Sequence, residues 1–329
     1  MRVTGFRGYG LSTCVAAAML AGCGGGSQPP IGAPSTVPQT RLTATHAQRG
    51  GSWMLPEAKS GNLLYATGGC SGTCVFSFPE GKVVGSVTTS GQSVCSDFNG
   101  NVFIVQSDQV VEYAHGETSP TETLSLPGTD AEGCSVDPTT GNLALVFFGS
   151  AGNVAIFPGA RGQPTLYGAN ITASYCGYDN TGDLFVNGFA NQDVALSELP
   201  AGSSTFHAFS IDQHVGGPGQ MQWDGKYMTW ESGNPQGAQT VSQLVINASR
   251  VAIVGTTHLE GIKLQPHQSW IYNGVILVPF AQHGTKSNKI GVWAYPRGGK
   301  AERLIRDFGS YSKHKIRFQA VAISVAPTH

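Results

Sequence analysis

Three segments of the chain repeat one another: Cys95-Ser-Asp-Phe-Asn-Gly-Asn-Val-Phe-Ile-Val105, Cys134-Ser-Val-Asp-Pro-Thr-Thr-Gly-Asn-Leu-Ala-Leu-Val146 and Cys176-Gly-Tyr-Asp-Asn-Thr-Gly-Asp-Leu-Phe-Val186. Each segment is typical of a short strand, a turn that begins with Asp and contains Gly, and a second strand. Asp caps such a turn with its side chain, and Gly accepts a positive φ. More divergent copies begin at Met221 and Trp270. The repeat therefore predicts hairpins spaced about 40 residues apart.

A second turn follows each hairpin after a further apolar run, as in Phe78-Pro-Glu-Gly81 and Leu199-Pro-Ala-Gly202. Each repeat then contains about four strands, which is the content of one β-propeller blade. Divided among six blades, residues 52–329 give about 46 residues per unit. We therefore predict an all-β fold, a β-propeller of six four-stranded blades.

The end of the chain predicts how the ring closes. The segment Ile323-Ser-Val-Ala-Pro327 resembles Cys134-Ser-Val-Asp-Pro138, which begins a repeat, and Gly61-Asn-Leu-Leu-Tyr65 resembles the strand that follows, Gly141-Asn-Leu-Ala-Leu145. The C-terminal strand is therefore expected to serve as the inner strand of the first blade, which would leave no free edge in the ring.

The Asp-x-x-Gly-Asn type of turn at this spacing resembles the turns of NHL-repeat and gluconolactonase/regucalcin-like six-bladed β-propellers. The chain is similar to bacterial envelope lipoproteins of that type. The resemblance covers residues 52–329 and implies the fold. Members of that group include metal-dependent lactonases, lyases and pure binding modules, so the fold names no single activity. The lactonases hold their metal with acidic and amide side chains at the channel mouth. No local motif in this chain carries those ligands over residue by residue.

The N-terminus predicts where the protein resides. Arg2 and Arg7 precede a short apolar run that ends in Leu20-Ala-Gly-Cys23, the pattern of a bacterial lipoprotein signal. We expect residues 1–22 to be the signal peptide, Cys23 to carry the lipid, and residues 23–51 to be a flexible tether rich in Gly, Pro, Ser and Thr. An ordinary secretory signal with an incidental cysteine is the alternative. Either way, we predict an extracytoplasmic protein of the bacterial cell envelope, periplasmic or on the cell surface.

Export to an oxidising compartment allows cysteines to pair. Cys70 and Cys74 lie in Gly-Gly-Cys-Ser-Gly-Thr-Cys and are expected to form a small disulfide ring, with a metal-binding pair as the weaker alternative. Cys95, Cys134 and Cys176 recur at similar spacing, and their odd number leaves at least one as a thiol. Small apolar core residues are the simplest interpretation of these three.

Composition and charge exclude one class of partner. The 329 residues include only 12% charged residues and carry a formal net charge of -1. Nucleic-acid binding is therefore not expected, because it requires a strongly basic face. We expect a monomer. Between Val83 and Gly225 there are 14 acidic residues and one basic residue, so the acid is concentrated in the middle of the chain.

Loops that join propeller strands converge on one mouth of the channel, and the ligand-binding candidates are polar residues of those loops: Glu132, Asn187, Glu231 and His283. Clustered carboxylates require a compensating positive charge, which a divalent cation, Ca or Mg, or a cationic ligand would supply. The alternative is a mouth lined by amides and hydroxyls that binds without metal.

Sequence motifs of common enzymes are absent: the chain has no Gly-x-Ser-x-Gly, His-Glu-x-x-His, P-loop or dinucleotide fingerprint. The first functional hypothesis is a lipid-anchored propeller that binds an unknown small molecule or protein at its channel mouth. The alternatives are a metal-dependent lactonase, other hydrolase or lyase of the same fold, and a scaffold subunit of an envelope assembly, which would present one flat apolar face.

Overall fold

The computed structural model describes residues 51–148, 153–211, 215–233, 239–247, 249–262, 268–281, 288–306, 308 and 318–327. The predicted signal peptide, Cys23, the tether up to residue 50 and His283 lie outside these residues. The described chain is all-β, with only two short 3₁₀ helices, Pro56–Lys59 and Pro158–Ala160. No helix within these ranges has the length and apolar character needed to cross a membrane.

The strands are short, most of them two to seven residues, as the frequent turns predict. In chain order they are β1 (Trp53–Met54), β2 (Leu63–Gly69), β3 (Gly72–Ser77), β4 (Val83–Val87), β5 (Ser93–Ser96), β6 (Val102–Val105), β7 (Gln109–Tyr113), β8 (Pro120–Ser125), β9 (Ala131–Val136), β10 (Leu143–Phe147), β11 (Val154–Phe157), β12 (Thr165–Tyr167), β13 (Thr172–Tyr178), β14 (Leu184–Ala190), β15 (Asp193–Leu199), β16 (His207–Ile211), β17 (Met221–Trp223), β18 (Met228–Gly233), β19 (Gln239–Asn247), β20 (Arg250–Glu260), β21 (Trp270–Tyr272), β22 (Val275–Ala281), β23 (Asn288–Ala294), β24 (Gly299–Lys300), β25 (Arg303–Ile305) and β26 (Val321–Ser324).

The strands group into antiparallel four-stranded units, which we number from the first strand pairs of the chain. Unit 1 is β26-β2-β3-β4, with β1 added outside β4, and units 2 and 3 are β5 to β8 and β9 to β12. Units 4 and 5 are β13 to β16 and β17 to β20, and unit 6 is β21-β22-β23-β25. A parallel pairing of β16 with β20 merges the eight strands of units 4 and 5, and β24, which also pairs with β20, makes this sheet nine-stranded. The hydrogen-bonded sheets among the described residues therefore number five.

The inner strands of these units follow one another around a ring. Strand β26 lies against β5, β5 against β9, β9 against β13, β13 against β17, and β21 against β26. Strands β17 and β21 are joined by Gln222, whose side chain exchanges hydrogen bonds of 2.7 and 2.8 Å with the backbone of Ile271. The prediction of an all-β, propeller-like ring of sheets is confirmed.

The repeated turn shows why the sequence motif contains Asp and Gly. In the turn between β5 and β6, Asp97 Oδ1 accepts hydrogen bonds from the backbone N–H groups of Asn99 and Asn101, at 2.9 and 2.8 Å. Gly100 has φ of 83°. A Cβ atom at Gly100 would lie 2.2 Å from the carbonyl oxygen of Val325, so a side chain would push away the C-terminal segment.

The C-terminal strand β26 pairs with β2, with Ile323 opposite Leu64 and Ala322 opposite Tyr65. All four of its residues are buried. The inner position of unit 1 is therefore filled by the last strand of the chain, and the other three strands of the unit come from its beginning.

The apolar core lies between neighbouring units. Val94, Val102 and Ile104 of unit 2, for example, share one cluster with Tyr65 and Val75 of unit 1. Trp270 packs against three of the clusters, which places its indole ring at the axis of the ring of sheets.

Two disulfides appear among the described cysteines. One joins Cys70 to Cys74, with Cα atoms 5.1 Å apart, and the other joins Cys95 of β5 to Cys134 of β9, with Cα atoms 5.9 Å apart. Cys176 is a buried thiol. Whether two of Cys95, Cys134 and Cys176 pair was open from the sequence: Cys95 and Cys134 do, because equivalent positions on adjacent inner strands bring their side chains together, and Cys176 is the expected remaining thiol.

Candidate functional site

The loops that join second to third strands, together with the segments that enter each unit, form what we call the upper face. Two cavities open there. The upper cavity has a volume of 360 Å³ and is lined by residues of β9, β13, β14 and β18, by the segment before β17, by Gln239 at the start of β19, and by Gln268. A second, more polar cavity of 720 Å³ adjoins it, and the two share Glu132, Tyr175 and Gln268. Two of the predicted candidates, Glu132 and Glu231, therefore face the same space.

Glu231 is a buried carboxyl group in the upper cavity, with 3% of the residue exposed. Ser269 Oγ donates a hydrogen bond to its Oε2, and Gln239 Nε2 donates one of 2.8 Å to its Oε1. Burial raises its pKa to about 7, and these two hydrogen bonds act in the opposite direction. Glu231 can therefore be charged or neutral near neutral pH, which is the property that a proton-exchanging or ligand-responsive carboxyl requires.

Asn187, the third predicted candidate, is not among the lining residues of either cavity and is linked to Glu231 only through the backbone of Gly219. Its Nδ2 donates a hydrogen bond of 2.7 Å to the carbonyl oxygen of Gly219. Gly219 packs so closely on β18 that a Cβ atom would lie 2.2 Å from the carbonyl oxygen of Glu231. The Oδ1 of Asn187 is buried and has no hydrogen-bond partner. The Oε1 of Gln220, a residue that lines the upper cavity, is also buried and has no hydrogen-bond partner.

Glu132 and Tyr175 are the other titratable side chains that line the upper cavity. Burial raises the pKa of Glu132, and the nearby carboxylate of Asp130 adds to the effect. Burial, together with the charges of Glu132 and Glu231, raises the pKa of Tyr175 to about 12. The Tyr175 hydroxyl therefore remains protonated at physiological pH and lies within the field of both carboxyl groups. It can donate a hydrogen bond to a ligand or to either carboxylate.

The side chains of the site match only part of the metal set that the propeller resemblance implies. Within the described ranges, no group of three or more His, Cys, Asp or Glu side chains is arranged to hold a metal ion. Oxygen atoms that could coordinate a cation are nevertheless present in this region: the carboxyl oxygens of Glu231 and the unpartnered amide oxygens of Asn187 and Gln220. Carboxylate and amide oxygens are the ligands that Ca²⁺ and Mg²⁺ take in proteins.

The site arises from a departure from the repeat. The first residue of each repeat, such as Cys95, pairs with a residue of the second strand, here Phe103. The next residue along that second strand is buried, and in four units it is Tyr65, Ile104, Val146 or Val278. In units 4 and 5 this position holds Asn187 and Glu231. The residues that precede the first repeat residue change in parallel, since Tyr175, Gln220 and Ser269 stand where units 1 to 3 have Ala322, Val94 and Gly133. The sequence analysis did not identify Tyr175, Gln239 or Ser269 as site residues. Tyr175 and Ser269 could have been found by comparing the repeat copies, because both are polar where other copies have an apolar or small residue.

No family model and no curated protein matches the chain. Among solved structures, a protein of unknown function from Bacteroides caccae is similar, with a TM-score of 0.58 and 13% sequence identity over 80% of this chain and 99% of that chain. Hydrazine synthase from Kuenenia stuttgartiensis is also similar, with a TM-score of 0.49 and 13% identity over 62% of this chain and 63% of that chain. At this identity the likeness to the Bacteroides protein shows the fold alone, which is that of a β-propeller.

Proposed function

We propose that the protein is a lipid-anchored, extracytoplasmic β-propeller of six four-stranded blades that binds a small molecule carrying an ammonium group in the upper cavity. The observation that carries the ligand class is Glu231, a buried carboxyl group with a pKa raised to about 7 in a cavity of 360 Å³. An ammonium group supplies both the charge and the hydrogen-bond donors that a buried carboxylate needs.

The lining of the upper cavity supports this ligand class. It contains two carboxyl groups, Glu132 and Glu231, and no Lys, Arg or His among the described residues. Phe189 and Tyr175 add aromatic surface, which attracts cations as well as apolar groups. The unpartnered Oε1 of Gln220, a lining residue, is an acceptor, so a ligand that satisfies it must donate a hydrogen bond.

The blade count follows from the strand pattern. Each four-stranded unit has the order of one blade, and the nine-stranded sheet contains two of them joined by only two residue pairs, Ser210 with Arg250 and Ile211 with Val251. Counting units 4 and 5 separately gives six blades. The lipid anchor rests on the Leu20-Ala-Gly-Cys23 signal and the tether that follows it.

The ligand class can be tested by the melting temperature of the purified protein at pH 8 with methylamine, ethanolamine and putrescine, each compared with the matched neutral alcohol. We expect at least one amine to raise the melting temperature by mass action and its alcohol to have no effect. The variant Glu231→Gln should lose this response. Glu198→Gln is the control, because Glu198 is a half-buried carboxyl group whose pKa is also raised by burial but which does not line the cavity. The proposal fails if no amine acts, or if Glu231→Gln responds like the unsubstituted protein.

A metal-dependent lactonase or other hydrolase is the second candidate, favoured by two unpartnered amide oxygens, one on Gln220, which shares the upper cavity with Glu231, and one on Asn187. Glu231, Asn187 and Gln220 would hold a divalent cation, which would polarise a substrate carbonyl when bound. Melting curves with Ca²⁺ or Mg²⁺ test it: a rise that Asn187→Leu abolishes would support this candidate. The scaffold hypothesis has no comparable support, since the exposed large hydrophobic residues of the described chain, Phe98, Phe148, Leu166 and Val254, lie on four separate elements.

A further inference from the structure

The opposite end of the channel contains a cavity of its own. It has a volume of 660 Å³ and is built by the turns that join first to second strands; we call it the lower cavity. Aromatic side chains from four units surround it: Phe98, Tyr178, Trp223, Trp270 and Tyr272, with Tyr295 behind them. Two side chains lie between the two ends of the channel, Trp270 at the axis and Gln268. The Gln268 side chain exchanges hydrogen bonds of 3.1 and 2.7 Å with the backbone of Val94.

The aromatic surface of the lower cavity is partly uncovered. Trp223 and Trp270 are each half-buried, and Phe98 is 65% exposed. Most other large aromatic residues of the chain, such as Trp230 and Trp293, are fully buried between units. Flat apolar faces that line an open cavity provide stacking surface for a ligand rather than core packing.

The polar groups of the lower cavity include both donors and acceptors without partners. The indole N–H groups of Trp223 and Trp270 donate to no residue in the described part of the chain. The side-chain amides of Asn180 and Asn273 are exposed at the rim, and each offers an acceptor and donors. A ligand here must therefore accept as well as donate hydrogen bonds.

The carboxylates at this end do not require a cation, because each already accepts hydrogen bonds from groups of the protein. Asp97 accepts from Asn99 and Asn101, and Asp179 accepts from the backbone N–H groups of Thr181 and Asp183 at 2.8 and 3.0 Å. Asp224 accepts from Tyr295 Oη at 2.6 Å and Gln243 Nε2 at 2.8 Å. Burial opposes ionisation of Asp224, but these hydrogen bonds outweigh it and lower its pKa. The three groups act as turn caps.

We propose that the lower cavity is a second binding site, which shares only Gln220 with the lining of the upper cavity, and that it takes a neutral saccharide. A sugar ring has an apolar C–H face that stacks on indole and phenyl rings, and its hydroxyl groups both donate and accept hydrogen bonds. One ligand class thus satisfies the aromatic faces, the free indole N–H groups and the rim amides. An ammonium ion would donate only and would leave the indole donors unpaired. The site is independent of the ammonium ligand proposed for the upper cavity.

The test is a titration of the full chain with neutral oligosaccharides, using tryptophan fluorescence and calorimetry. Maltotetraose, cellotetraose and chitotetraose are suitable probes, each taken to about 10 mM so that millimolar dissociation constants are detected. Two of the five tryptophans lie in the cavity, so binding should change the emission. We expect Trp223→Ala to weaken binding about tenfold or more.

Phe98→Ala provides a variant with little effect on folding, because Phe98 is 65% exposed, and it should weaken binding a few-fold. Its matched control is Phe148→Ala, since Phe148 is 50% exposed and follows β10 at the opposite end of the units. Phe148→Ala and Glu231→Gln should bind the saccharide as the unsubstituted protein does. The proposal is overturned if no probe binds, if binding ignores both Trp223→Ala and Phe98→Ala, or if choline binds in a Trp223-dependent manner and the saccharides do not.

Discussion

Glu231 occupies a buried position that four of the six units fill with Tyr65, Ile104, Val146 or Val278. A carboxyl group at such a position is costly, because burial disfavours its charged form. Ser269 and Gln239 reduce this cost by donating hydrogen bonds to both oxygens. The remaining penalty appears as a pKa of about 7, well above the ordinary value of 4.5.

This shift makes the stability of the protein depend on pH. The folded state binds the Glu231 proton more tightly than the unfolded state, so between about pH 4.5 and 7 the folded protein carries more protons and loses stability as pH rises. The full effect is about 3 kcal/mol. We expect Glu231→Gln, which keeps a neutral side chain of the same shape, to lack this component.

The measurement is the free energy of unfolding by urea at several pH values from 5 to 8, for the unsubstituted protein and Glu231→Gln. The difference between the two should favour the variant increasingly toward pH 8, because other titrating groups cancel in the comparison. Parallel pH profiles would show that Glu231 has an ordinary pKa in the folded protein.

At the scale of the strand, β26 shows how much the repeat predicts. The likeness of Ile323–Pro327 to Cys134–Pro138 is enough to place the last strand beside the first ones, because copies of one repeat must occupy equivalent positions in the ring. The bridge between β16 and β20 was not predictable in this way. It is a parallel contact of two residue pairs between outer strands, at the first two residues of β20, and the repeat contains no signal for it.

Removal of β26 should destabilise the protein strongly. Truncation after Gln319 takes away Val321 and Ile323, both buried, and exposes the edge of β2. Burial of these two side chains alone contributes about 3–6 kcal/mol, out of a total stability of roughly 5–15 kcal/mol for a typical domain. We expect a large fall in melting temperature or loss of cooperative unfolding.

Two further variants make the β26 experiment specific. Truncation after Pro327 removes only the last two residues and should leave the melting temperature unchanged. Ile323→Ala keeps the strand and its backbone hydrogen bonds, and should cost about 2–5 kcal/mol. If the protein truncated after Gln319 melts at the same temperature as the full chain, β26 does not contribute the closing strand in solution.

At the scale of the whole molecule, the sequence predicts the ring better than the site. Turn residues such as Asp97 and Gly100 act locally, so their pattern can be identified without knowing the fold. A cavity is formed by side chains from different units, and Glu231, Ser269 and Gln239 come together only when the ring is complete. The prediction that Glu132 and Glu231 lie in loops is wrong, because they belong to β9 and β18, and polarity alone could not distinguish them from exposed carboxylates such as Asp108 and Asp193.

The predicted lipid anchor determines where this ring works, and it is tested by Cys23→Ser. The thiol of Cys23 is the group that would be acylated, so the serine variant should lose the lipid and move from the membrane pellet to the soluble fraction after export. Cys14→Ser is the matched control, because Cys14 lies inside the apolar run and outside the Leu20-Ala-Gly-Cys23 signal. It should remain in the pellet.

Mass spectrometry of the N-terminal peptide gives a second readout for the anchor, since a precursor with an uncleaved signal could also sediment. An acylated Cys23 at the mature N-terminus is expected in the unsubstituted protein and in Cys14→Ser. An unmodified N-terminus, or membrane association of Cys23→Ser with its signal removed and after a salt wash, would contradict lipidation. If Cys23 is acylated, the predicted tether of residues 23–51 would separate the ring from the bilayer, and both channel ends would stay open to soluble ligands.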